Sequence, residues 1–110
     1  MYTLYAFWSA PQPQDEAAFE DYYAATHVPR ASAVPHLSSI VTTRTADGLE
    51  GGEPATYRIA IMSFPDREAY EASTKSPEWA AMRQCAGDII ERFGVSLTVS
   101  LGEPVEGTPG

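Results

Sequence analysis

The chain has 110 residues, room for one domain, and its 44% apolar and 11% aromatic content is that of a folded globule rather than a disordered chain. Seven Lys and Arg face fifteen Asp and Glu, a formal net charge of −8. The few cations are scattered singly, so the basic footprint of a nucleic-acid binder is missing and an anionic membrane surface is disfavoured.

Tyr2–Ser9 (YTLYAFWS) is aromatic and β-prone. Leu4, Ala6 and Trp8 alternate with Thr3, Tyr5 and Phe7, so both faces are largely apolar, as in a strand covered on both sides. The segment is short, has no basic leader and runs into Pro11 and Pro13, so it reads as a strand rather than a signal peptide. No apolar run approaches the ~18–20 residues of a membrane span. Asp15 is the expected N-cap of a first helix. On it, Phe19, Tyr22, Tyr23, Thr26 and His27 recur at helical spacing and make one face, with Glu16, Glu20 and Asp21 mostly off it. Pro29 is expected to end this helix at Val28, which puts His27 in the last turn and makes Val28–Pro35 a linker.

His36–Thr45 reads as a strand rich in β-branched residues, Ala46–Pro54 as a turn region, and Ala55–Phe64 as another strand. In that strand Tyr57, Ile59 and Ile61 share one face, and Ala60, Met62 and Phe64 the other. Asp66 is expected to cap a short helix, Arg67–Thr74. Ser76-Pro77-Glu78 opens a longer helix from Pro77 to Phe93, which Gly94 stops. Its apolar stripe holds Trp79, Met82, Ala86, Ile89, Ile90 and Phe93. Val95–Leu101 alternates as a last strand. Residues 1–101 make the domain and Gly102–Gly110 a mobile tail. Cys85 is the only cysteine, which suits a reducing cytoplasm, the expected location.

The order βαββαβ predicts an α+β, ferredoxin-like sandwich: a four-stranded antiparallel sheet with helices on one face. The uncovered face is apolar too. At about 25 cal/mol per Å², leaving several hundred Å² of it wet forfeits many kcal/mol, so a homodimer through the sheet face is expected.

With that order in hand, Phe19-x-x-Tyr22-Tyr23-x-x-Thr26-His27-x-Pro29 resembles the signature helix of the EthD family. Pro35 followed by an apolar-polar strand resembles the family's next element, and Ser76-Pro77-Glu78-Trp79 resembles a motif that begins the late helix in dimeric α/β-barrel proteins. The resemblance implies a ferredoxin-like protomer that dimerises into such a barrel. The family takes its name from an accessory protein of fuel-ether degradation. Related proteins include a lactone methylisomerase that works without a cofactor and fungal dehydratases or decarboxylases of polyketide pathways.

His27 is the leading catalytic candidate. A helix C-terminus favours its imidazolium by about 0.3–1 kcal/mol while partial burial favours the neutral ring; balanced, these give a general acid/base. The alternative is a structural histidine that fixes the following turn. Tyr22 and Tyr23 are adjacent and cannot face the same way, so one packs and the other meets a pocket or partner. Tyr23 is the candidate to orient His27 or polarise a carbonyl, and Tyr22 to touch ligand. Tyr5, Phe7, His36, Tyr57, Phe64, Trp79 and Met82 are further candidates to line a site for a small apolar ligand, although aromatic core packing reads the same way. No Cys/His cluster has metal-ligand spacing, so no metal is expected, and the family resemblance implies no organic cofactor. Two functions remain open: a cofactor-free isomerase- or lyase-type enzyme acting on a carbonyl or lactone compound, and a non-catalytic binding or accessory protein. A cofactor-free oxygenase is a third possibility.

Overall fold

Period-two alternation in the strands sets the layers. The structure, a computed structural model, describes residues 1–110. Strands β1 (Tyr2–Trp8), β2 (Ser39–Arg44), β3 (Arg58–Phe64) and β4 (Leu97–Gly102) form one sheet in the order β2-β3-β1-β4, every neighbouring pair antiparallel. The register places Ile40, Met62, Leu4 and Leu101 in one row across the sheet, and Thr42, Ala60, Ala6 and Val99 in the next. These rows face the helices. The opposite face carries Tyr5 beside Ile61 and Phe7 beside Ile59, all half-buried, with Val41 exposed at the edge. The order is the ferredoxin-like α+β sandwich predicted from sequence. β4 ends at Gly102, and residues 103–110 are exposed and carry no helix or strand.

The helical layer comprises α1 (Glu16–Tyr22), a π-helical stretch (Tyr23–His27), α2 (Val28–Ser32), α3 (Arg67–Ser73) and α4 (Pro77–Phe93). The first three are continuous, which corrects the expectation that Pro29 ends the helix. In an α-helix a proline lacks the N–H for its own bond and its ring presses on the carbonyl four residues back, here that of Ala25. The backbone widens just before Pro29 instead, and the Val28 N–H reaches back five residues to the Tyr23 carbonyl. The helix therefore runs on to Ser32, and His27 sits in its middle rather than in its last turn.

The ends of the elements follow local chemistry. Asp66 accepts from the Ala69 N–H at 2.7 Å and Ser76 from the Trp79 N–H at 3.1 Å, two N-caps of the expected kind. Asp15 makes no such bond, because it has near-helical backbone angles and belongs to a 3-10 turn, Pro13–Asp15, that leads into α1. Gly94 closes α4 in the left-handed conformation, φ 65°, with its N–H on the Ile90 carbonyl. His36 also adopts a left-handed φ of 65°, which delays β2 to Ser39 rather than the expected His36. β3 likewise begins at Arg58 and not at Ala55.

The core falls into two clusters. One joins Leu4, Met62 and Phe64 of the sheet to Val34 and Met82; the other joins Trp8 to Phe19, Tyr23, Cys85, Ile89 and Phe93. Phe19, fully buried, is the hub of the second, with ring contacts at 5.3–6.4 Å to Trp8, Tyr23, Tyr57 and Phe93. In urea unfolding, Ser76→Ala and Asp66→Ala should each lower stability by about 1 kcal/mol, whereas Asp15→Ala should stay within about 0.5 kcal/mol of the native chain; a loss at Asp15 equal to that at Ser76 would contradict this assignment of the caps.

Candidate functional site

Between the sheet and the helices, where the two core clusters meet, lies a cavity of about 310 Å³. Its lining is almost wholly apolar. The reason for the space is side-chain size: Ala6 and Ala60, paired across β1 and β3, make its floor, while Ala31 of α2 and Ala86 of α4 face it from the helices. Four methyl groups stand where larger apolar residues would close the interior.

One end of the cavity is polar. Trp8, Tyr23 and His27 converge there, with ring centroids 6.2 Å apart for Trp8 and Tyr23, 5.6 Å for Trp8 and His27, and 5.4 Å for Tyr23 and His27. Trp8 Nε1, Tyr23 Oη and His27 Nδ1 are buried and have no hydrogen-bond partner within the protein. Such groups are rare in native folds, and each costs about 1–3 kcal/mol if left unmade. All three belong to residues that line the same hollow.

The π-helical stretch begins at Tyr23 and ends at His27, and its side chains at both ends reach the cavity. Tyr23 is held firmly. Its ring stacks on Phe19 at 5.8 Å, and the Arg58 guanidinium lies 4.5 Å from its centroid. Arg58 in turn donates to both oxygens of Glu20, and the Tyr57 hydroxyl donates to Glu20 at 2.9 Å. Burial alone would raise the Glu20 pKa; the hydrogen bonds from Arg58 and Tyr57, with the charge of Arg58, outweigh it and hold the carboxyl below its usual range. The network is thus a fixed ionic clamp behind the tyrosine.

Burial also decides the protonation of the two polar residues. It pushes the Tyr23 phenol up to about 12, with Arg58 pulling weakly the other way. It pushes His27 down from 6.5 to about 4, and the positive charge of Arg30 adds to that effect. The balance expected from a helix end does not arise, because the helix continues past His27. At neutral pH the site holds a neutral phenol and a neutral imidazole.

Of the candidates from sequence, Tyr23, His27, Trp79 and Met82 line the cavity. Six others lie outside it. Tyr5 and Phe7 point to the opposite face of the sheet, since they alternate with Trp8. Tyr22 turns toward α4, its hydroxyl 4.0 Å from Cys85 Sγ and its ring under Arg92. Tyr57 is engaged with Glu20, Phe64 is fully buried against Tyr70, and His36 is exposed at a left-handed turn. The structure adds Trp8, Thr42, Tyr70, Arg83 and the four alanines. Trp8 was legible as the third inward residue of its strand; the alanines signal a hollow only once their partners are known. Nowhere do three His, Cys, Asp or Glu side chains gather as a metal set, and no helix is long and apolar enough to cross a membrane.

Comparison with known proteins agrees with this architecture. An uncharacterized 11.0 kDa protein from the thcB-thcC intergenic region of Rhodococcus erythropolis is 30% identical over 66 residues, which is 60% of this chain and 63% of that protein. The crystal structure of an EthD family protein from Bacillus halodurans superposes with a TM-score of 0.80 at 28% identity, covering 96% of this chain and 99% of that one. SnoaB, a cofactor-independent oxygenase from Streptomyces nogalater, shares the fold at a TM-score of 0.62 and 16% identity, covering 99% of this chain and 96% of that one. The family model for the EthD domain matches residues 11–93, from the approach to α1 through the last residue of α4, and the chain belongs to the EthD family.

Proposed function

We propose that the cavity binds one small, largely apolar molecule with its carbonyl or lactone group against Trp8, Tyr23 and His27, and that the protein moves a proton on it with its own side chains. The observation that carries this reading is that the three residues with buried, unpartnered polar atoms, Trp8, Tyr23 and His27, all line one otherwise apolar hollow. The Tyr23 O–H, held neutral by burial, and the Trp8 N–H are the donors for a carbonyl oxygen. Neutral His27 is the acceptor for a proton on a neighbouring carbon. In a dry site the resulting imidazolium and the oxyanion attract one another strongly, which offsets the weak basicity of the buried ring. The same low proton affinity makes His27 return the proton readily. Isomerisation, cyclisation and dehydration share this first step; decarboxylation reaches the same enolate by loss of carbon dioxide, with the Tyr23 and Trp8 donors stabilising its oxygen. The fold relative that is a cofactor-independent oxygenase adds a variant in which the carbanion meets oxygen.

A second reading is ligand binding without turnover, as in an accessory protein. It is favoured by the fact that burial moves both His27 and Tyr23 well away from neutrality. The two readings separate by substitution. With small lactones, ketones and quinols as substrates, and oxygen uptake followed in parallel, His27→Asn and Tyr23→Phe should each reduce turnover by about 10²–10⁴-fold while ligand affinity changes by less than about tenfold. Equal loss of affinity, with no turnover in the native chain, would favour binding alone.

The protonation state of His27 is also a stability statement. A ring whose folded pKa lies near 4 and whose unfolded pKa is 6.5 leaves the unfolded state with the extra proton between those values. Stability is therefore whole above pH 6.5 and falls as pH drops toward 4, by about 3 kcal/mol from this residue. Subtracting the pH profile of His27→Phe from that of the native chain should isolate this slope; parallel profiles would refute the buried neutral ring.

The proposed assembly is a homodimer through the outer sheet face, where Tyr5, Phe7, Ile59 and Ile61 are only half-buried in one protomer. Sedimentation should report a dimer for the native chain and a folded monomer for Phe7→Glu; a native monomer at micromolar concentration would rule it out.

A further inference from the structure

The cavity has a second polar feature, at the end away from His27. Trp8 closes β1 at one end; at the other, Tyr70 packs on Tyr2 at 5.3 Å and on Trp79 at 5.7 Å, and Tyr70 and Trp79 both line the hollow. Arg83 lies beside them and is the only charged residue of the lining. It sits on the same stripe of α4 as Trp79, Ala86 and Ile90, its neighbours at four residues before and three and seven after, all of which line the cavity. It is close enough to Tyr70 for its charge to act on the phenol.

This arginine has no partner of its own. The three ion pairs of the chain are Arg44–Glu16, Arg58–Glu20 and Arg67–Glu71, and Arg83 is in none of them. Its helix neighbours at three and four residues on either side are Ala80, Ala86, Trp79 and Gly87, none acidic. Of the seven cations, Arg30, Lys75, Arg83 and Arg92 are in no ion pair, and among these only Arg83 lines the cavity. A planar fork of donors suits a carboxylate better than any neutral group.

We infer that the cavity takes a two-ended ligand, a flat apolar body with its carbonyl against Trp8, Tyr23 and His27 and a carboxylate bound at the rim by Arg83, so that Arg83 determines specificity for acids over neutral analogues. This rests on the reading of the hollow as a small-molecule site and names its substrate class. The overall negative charge of the chain repels such a ligand at a distance, but screening over about 8 Å at physiological salt leaves the contact itself decisive.

Trp8 and Trp79, both tryptophans of the chain, line the cavity, so quenching of their fluorescence reads occupancy directly. The probes are para-acetylbenzoate and its methyl ester, which share a body and a ketone and differ in the charge, added to the native chain at neutral pH. The acid should bind about tenfold more tightly than the ester, the scale of one charge-assisted contact. Arg83→Gln should remove that preference, with ester affinity kept within about twofold, and Arg83→Lys should restore part of it. The side chain is exposed, so neither variant disturbs the core. An ester that binds as well as the acid, or a preference that survives Arg83→Gln, overturns the assignment of Arg83 and leaves the cavity reading intact. If neither probe binds the native chain, or Ala60→Leu leaves ester binding unchanged, the cavity reading itself falls and the inference with it.

Discussion

Taking an indole N–H, a phenol O–H and a ring nitrogen out of water with nothing to bond to is a cost that a domain of this size meets only through compensating packing. Here the compensation is aromatic. Trp8, Phe19, Tyr23 and Phe93 pack at centroid distances of 5.3–6.4 Å, and two of the fully buried rings, Trp8 and Tyr23, carry two of the three orphaned atoms. Burying such rings contributes several kcal/mol, which exceeds the roughly 1–3 kcal/mol forgone at each unmade hydrogen bond. The cluster therefore stabilises the fold and holds the polar tips where water does not satisfy them. The protonation states of Tyr23 and His27 both follow from that one dry environment.

The second constraint is the backbone around Pro29. A regular helix through this proline loses a hydrogen bond and strains against the preceding turn. The local widening over Tyr23–His27 absorbs the misfit, lets the helix run to Ser32, and brings Ala31 over the cavity. Tyr23 and His27, four residues apart, meet the same hollow, while Tyr22 turns to Cys85 and Arg92. The Glu20–Arg58 clamp then fixes the tyrosine from behind.

Much of this was legible in the sequence. Strand alternation gave the order of elements and the inward face of Leu4, Ala6 and Trp8; the caps at Asp66 and Ser76 and the stop at Gly94 follow from single residues with local mechanisms. The apolar face of the first helix pointed to Tyr23 and His27. What was not legible depended on tertiary context. Pro29 reads as a helix end because the ordinary rule takes no account of a π-helical accommodation, and the expected titration of His27 near neutrality went with it. Aromatic density drew Tyr5, Phe7, Tyr57 and Phe64 into the site, although alternation already put Tyr5 and Phe7 on the other side of the sheet. Arg83 carries no motif at all; it becomes informative only beside a cavity and without an acidic neighbour.

The alanine pair in the sheet has a consequence for how such a protein can change. Ala6 and Ala60 face each other across the central strands, and the volume above them is set by their methyl groups. On the proposed function, acceptance of a bulkier or slimmer molecule is governed by these two positions in the central strands, while reactivity is governed by the end wall. With the two properties on separate residues, a lineage with that function is free to drift in what it admits without rebuilding what it does.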